Sequence, residues 1–228
     1  MPSSDGVHPS VWRVKKIDAS AAADGTVDNS VWNSCPSLQI GNSNHWAMDF
    51  EPDTSAKICY DENSIHILFK VRDNFIRCLA SELNGEVWKD ACVEFFFAPE
   101  GSRPTSYYNL EVNCGGAVRL GHQSAPNTDI VLVRKEDGDR IRVVHSLAPV
   151  IKEEIKEPTL WTLEIAIPFE ILKNYSRVFV PHPGSKWKAN FYKCAENNSH
   201  PHWLSWAPIT SPAPNFHLPQ FFGELQFE

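Results

Sequence analysis

Residues 64–72 alternate in character: Ile65, Ile67, Phe69 and Val71 share one face, while His66, Lys70 and Arg72 share the other. A period of two is what a half-buried antiparallel strand shows, because successive side chains point to opposite sides. Residues 160–167 repeat it, with Trp161, Leu163, Ile165 and Ile167 inward and Thr162 and Glu164 outward. Comparable runs occur at 11–17, 56–60, 91–98, 107–113, 129–134, 140–145 and 186–194, most of them set apart by turn residues such as Glu136-Asp-Gly-Asp139. Many short strands at this spacing predict an all-β chain, an antiparallel β-sandwich of the jelly-roll or immunoglobulin-like kind. Only 28–32 and 168–173 suggest helix, each a turn or two long. No internal repeat or composition shift marks a linker, so one domain over residues 1–228 is expected. The Pro-rich stretch 207–219 reads as irregular, since Pro lacks the donor a ladder needs, but the alternation resumes at 221–227 and pins the loop at both ends.

Within 91–98, Val93, Phe95 and Phe97 fall on one face and Cys92, Glu94 and Phe96 on the other. A mid-strand carboxylate is costly without a partner. A hydroxyl-rich ligand supplies one, and Trp88, six residues earlier, supplies a flat apolar surface for the C–H face of a sugar ring. A core Trp beside a structurally paired Glu is the alternative. Parity also aligns Asn109, Glu111 and Asn113 on one face of 107–113, and Lys188, Asn190 and Tyr192 on one face of 186–194. If these faces coincide with that of Glu94, the sheet offers fixed donors and acceptors for hydroxyls; otherwise they form an ordinary solvated outer face.

A formal charge of −7, with no cluster of basic residues, argues against nucleic acid as a partner. No apolar stretch is long enough to cross a bilayer, and residues 1–16 lack the apolar core of a secretory leader. Neither observation sets the oligomeric state. The six cysteines, Cys35, Cys59, Cys78, Cys92, Cys114 and Cys194, show no metal-type spacing. They read as free packing thiols, with one or two disulfides as the alternative in an oxidising compartment. His200 and His202 are separated by Pro201, which forbids a shared helical face, and they read as loop histidines with Trp203 and Trp206 packing at the sandwich rim.

Four blocks resemble the family 9 carbohydrate-binding modules, DOMON-related sandwiches: Asp24-Gly-Thr-Val-Asp-Asn-Ser-Val-Trp32, residues 79–97 around Trp88-x5-Glu94, Trp161-Thr-Leu-Glu-Ile-Ala-Ile-Pro-Phe169, and 215–227 with its Pro219-x-x-Phe222-Gly223-x-Leu225 pattern. They span nearly the whole chain in the family's order. The resemblance implies a non-catalytic sandwich that holds an oligo- or polysaccharide, a plant-type glucan or xylan or its chain end, between two aromatic walls. Carried over by position, Trp88 and Phe216 are the walls, and Glu94, Glu111, Asn113 and Tyr192 clasp the sugar. Three positions depart from the family: Glu111 stands where the best-known members carry a basic residue, Phe216 where they carry Trp, and Tyr192 differs in side-chain type. Family members can carry structural calcium, for which Asp24 and Asp28 are the early candidates, although turn and helix-cap roles suit both; no cofactor is required for binding. The resemblance also implies an extracellular or periplasmic location, with the cytoplasm as the alternative. Three other functions draw on the same residues or fold. A glycosidase would pair Glu94 with Glu111 or Asp90, a haem domain would use Met48 as an axial ligand, and an interaction domain would keep the sandwich without the sugar.

Overall fold

A computed structural model of the chain describes residues 10–18, 30–99 and 105–228. Its strands, in chain order, are β1 (Val11–Lys16), β2 (Leu38–Gln39), β3 (Asp53–Tyr60), β4 (Ser64–Asp73), β5 (Ile76–Cys78), β6 (Cys92–Ala98), β7 (Tyr107–Asn113), β8 (Val118–Gln123), β9 (Val131–Leu132), β10 (Arg142–His145), β11 (Ile151–Ile155), β12 (Thr159–Pro168), β13 (Lys186–Ala195), β14 (His202–Ser205) and β15 (Gly223–Phe227). Three short helices join them: α1 (Ser30–Ser34), α2 (Lys135–Gly138) and α3 (Phe169–Leu172). None of the helices described is long and apolar enough to cross a membrane. Asp24 and Asp28, the calcium candidates, lie outside the described residues.

The strands make a β-sandwich. One layer runs β10-β12-β4-β3, and the other β15-β13-β6-β7-β8-β9, with β14 beside β13. A single strand joins the layers: Val11 to Val14 of β1 pair with β15, and Lys15 and Lys16 pair with β3. Both pairings are parallel, a departure from the all-antiparallel expectation that follows from β1 threading between two strands of like direction.

The predicted parities hold where the layers meet. Ile65, Ile67, Phe69 and Val71 of β4 and Trp161, Leu163, Ile165 and Ile167 of β12 are fully buried against Val93, Phe95, Phe97, Leu110, Val112, Trp187 and Phe191. The contacts are ring on ring: Phe95 lies 4.8 Å from Phe191, which meets Phe69 of the other layer at 6.3 Å. Each such side chain contributes roughly 1.5–3 kcal/mol through burial, enough to hold the second layer rigid from beneath.

Three expectations change. Residues 136–139, read as a loop, include most of α2, because Asp137 is buried and bonded to the side chains of Arg134, Asn174 and Tyr175. Residues 129–134 yield only the two-residue β9. His66 and Glu164, assigned outward, are buried on a face that α1 partly covers; His66 Nε2 is 3.0 Å from Asp61. The six cysteines are buried and free.

Candidate functional site

The outer face of the second layer carries a distinct aromatic cluster, with Phe96, Tyr107, Tyr192, Phe216 and Phe222 among its members. Register brings the three predicted polar faces together: Glu94 of β6 lies directly opposite Glu111 of β7 on one side and Tyr192 of β13 on the other. Above them opens a cleft of about 340 Å³, lined by Trp88, Glu94, Phe96, Asn109, Glu111, Arg119, Cys194, Glu196, Trp203, Phe216 and His217, among others.

Trp88 sits in a 3₁₀ turn, Val87–Lys89, whose Val87 is buried and acts as its foot. The next residue, Asp90, accepts the main-chain N–H groups of Leu79 (3.0 Å) and Ala80 (2.9 Å) and the Asn113 Nδ2 group (2.8 Å). This is where Asn113 is used. It is fully buried, donates also to Ala80 O and accepts the Ala117 N–H, and so does not line the cleft. Asp90 is likewise committed to the turn and is absent from the lining. The guanidinium of Arg119 stands 5.0 Å from the centre of the Trp88 ring, a cation–π contact that fixes the indole.

Phe216 comes from the irregular tail. That segment is held by Asn190, which both donates to and accepts from the Ala207 main chain, by Asn44 Oδ1 accepting Ile209 N–H, and by Trp46 Nε1 donating to Ser211 O. Tyr192 lies under Phe216, its ring stacked at 4.1 Å and 9° and its hydroxyl donating to Phe216 O. Tyr192 is fully buried and outside the lining, and Phe216 is itself only 8% exposed. Trp203, expected to pack at the rim, does pack against the aromatic cluster and is also a partly exposed wall of the cleft, its indole N–H directed at Glu196.

The polar floor has fixed polarity. The Asn127 main-chain N–H donates to Gln123 Oε1, so Gln123 Nε2 is the donor to Asn109 Oδ1, and Asn109 Nδ2 in turn donates to Glu111 Oε1. Gln123 Nε2 also faces His217 Nδ1 at 3.3 Å, as does the Tyr107 hydroxyl at 2.9 Å. Nδ1 is therefore an acceptor, and the ring proton resides on Nε2. Burial and Arg119 push His217 down to about 4, keeping it neutral. Glu111 Oε2, buried, has no hydrogen-bond partner among the described residues. Burial pushes Glu111 up to about 7, against the pull of Asn109 and Arg119, and burial together with Cys194 and Glu111 raises Glu94 well above the carboxylate range. Arg119 lies directly opposite Glu111 on β8, so a cation from the neighbouring strand stands beside this carboxyl group.

The other candidates are otherwise engaged. Met48 Sδ accepts the Trp203 N–H at 3.0 Å, and His200 stacks on Phe75. His202 is fully buried, with Nε2 2.7 Å from Lys193 Nζ and Nδ1 2.9 Å from His200 O.

Of the six expected residues, the structure thus gathers Trp88, Glu94, Glu111 and Phe216 on the cleft and sets Asn113 and Tyr192 behind it. Sequence reasoning missed Arg119, Glu196 and His217 as lining residues. A cation opposite a buried carboxylate is a signal for Arg119 only once the register is known.

A solved putative carbohydrate-binding protein from Bacteroides uniformis is 34% identical, with 97% of this chain and 100% of that one covered and a TM-score of 0.87. Two structures of a family 9 carbohydrate-binding module from Caldicellulosiruptor kristjanssonii share the fold. The cellotriose complex has 16% identity, a TM-score of 0.63 and 96% and 94% coverage; the glucose complex has 17%, 0.60 and 96% of each chain. No curated protein matches. The family model for carbohydrate-binding family 9 matches residues 15–227, and the chain belongs to that family.

Proposed function

We propose that the cleft binds a saccharide of the β-glucan type without turnover. In this reading Trp88, with Trp203 and the edge of Phe216, gives the apolar surface, and Glu94, Glu111, Asn109, Arg119 and His217 give the polar partners. The observation that carries the reading is Glu111, a residue of the cleft lining whose buried Oε2 has no hydrogen-bond partner among the described residues. A hydroxyl donor entering there relieves an unmet bond costing about 1–3 kcal/mol. Asn113 and Tyr192 act as positioning residues, the first for the Trp88 turn and the second for Phe216. Cellotriose and glucose in the module from Caldicellulosiruptor kristjanssonii point to the ligand class.

Placement supports the reading of binding without turnover. Glu94 and Glu111 are directly opposed on adjacent strands, side by side on one floor. Glycoside hydrolysis instead needs carboxyl groups on either side of the scissile bond. An extracellular or periplasmic site of action goes with this reading, since such modules raise an enzyme's local concentration on its polysaccharide.

Calorimetric titration with glucose, cello-oligosaccharides and xylo-oligosaccharides, together with product analysis, tests the proposal. Saturable binding without new products supports it. Products, or no binding to any of the sugars by folded protein, overturn it.

A further inference from the structure

Three side chains at the base of the cleft converge in a way that sugar recognition does not require. Cys92 and Cys194 are directly opposed on β6 and β13, and Glu94 follows Cys92 by two residues on the same face. The two Sγ atoms and a Glu94 carboxylate oxygen all lie within 4.8 Å of one another, and all three residues are buried. Cys194 Sγ already meets Glu94 Oε1 at 3.1 Å. Among the described residues no other group of three potential metal ligands comes together so closely.

We propose that Cys92, Cys194 and Glu94 form a site for a soft divalent cation of the zinc class, with one coordination position open to the cleft. Tetrahedral zinc, with bonds of about 2.3 Å to sulfur and about 2.0–2.2 Å to oxygen, keeps its ligand atoms roughly 3.5–3.8 Å apart, comparable with the spread seen here. Thiolates select soft cations. Calcium and magnesium, which take oxygen ligands, are excluded by two sulfurs in a set of three. Glu94 and Cys194 both line the cleft, giving the ion an entry path and a place for a bound water. Three protein ligands and a water make up the open type of zinc site. Binding displaces the two thiol protons and any carboxyl proton to solvent, with no change of oxidation state. Because Glu94 also belongs to the proposed saccharide set, an ion here withdraws that carboxylate from the sugar. This competition rests on the saccharide reading; the ion site does not.

The test is a cobalt(II) titration of the full chain, reduced with a phosphine and stripped of metal. One equivalent is expected to give a thiolate-to-cobalt charge-transfer band and the visible bands of a tetrahedral ion, both abolished by zinc. Cys92→Ser and Cys194→Ser should each weaken cobalt binding by more than the 10–100-fold that an outer-shell partner is worth, while Cys35→Ser leaves it unchanged. Circular dichroism checks the fold, and Glu94→Gln, weakening binding and shifting the visible bands, serves if a serine variant fails to fold. Absence of the band in reduced wild type, its survival in both serine variants, or a Cys92–Cys194 disulfide in protein purified without reductant overturns the proposal. Cobalt binding without sugar binding sinks only the saccharide reading, and sugar binding without cobalt sinks only the ion site.

Discussion

Glu111→Gln keeps the shape of the cleft floor and exchanges one acceptor for a donor, so it separates what the carboxylate costs the fold from what it contributes to binding. The orientation of the new amide is set by the chain of bonds that begins at the Asn127 N–H. Asn109 Nδ2 must donate, so the amide oxygen stays on Asn109 and the NH2 takes the place of Oε2. In the free protein Glu111 is pushed from 4.5 to about 7, chiefly by burial. With its pKa higher folded than unfolded, the native state binds more protons between those limits, and stability falls as pH rises across that window. Moving from 4.5 to about 7, at about 1.36 kcal/mol per pH unit, puts the loss on the order of 3 kcal/mol above pH ~7, and at 4% exposure little of it is screened. Glu94, also raised, adds a slope of the same sign to both proteins. Urea denaturation across this range should show the variant with the shallower pH dependence and a stability advantage above neutrality of up to about 3 kcal/mol. Saccharide affinity should move the other way. Losing a charged acceptor costs about 1.5–3 kcal/mol, roughly 10–150-fold in Kd by calorimetry. Parallel pH profiles for the two proteins, or undiminished binding by the variant, would refute the reasoning.

Trp88→Ala should weaken sugar binding about tenfold or more through lost stacking; Val87 still anchors the turn, so the melting temperature should change little. Asn113→Ala breaks the bonds to Ala80, Asp90 and Ala117 and should cost on the order of 3 kcal/mol in denaturant unfolding, with weaker binding because the Trp88 turn is no longer held. Tyr192→Phe, losing the hydroxyl and its bond to Phe216 O, should cost about 1 kcal/mol and leave affinity unchanged, whereas Tyr192→Ala should cost about 3–5 kcal/mol and lower affinity as Phe216 loses its support. At Gly223 an added Cβ would sit 2.5 Å from the Trp206 ring and 2.7 Å from Ser10 O; thermal unfolding of Gly223→Ala should therefore occur several degrees lower.

Facing within a strand was legible in the sequence because it is local: a period of two separates Phe95 and Phe97 from Glu94 and sets Glu111 and Tyr192 on the polar faces of their own strands, whereas the pairing register brings those faces together. Depth was not legible. Asn113 and Tyr192 lie on the right side of the sheet, yet one is roofed by the Asp90 turn and the other by Phe216, and roofing depends on segments distant in sequence. Arg119 escaped notice because Val118-Arg-Leu-Gly-His-Gln123 alternates weakly and carries a Gly at its centre. Only the register that sets it opposite Glu111 gives it meaning. The tail is the extreme case, since Asn44 and Trp46 bond to it across more than 160 residues and a Pro-rich loop has no period to read. The departure at Glu111 therefore looks different in three dimensions. The resemblance marks position 111 as one where a basic residue is expected, and the register sets Arg119 opposite Glu111, so an acceptor and a cation stand as neighbours on the same floor.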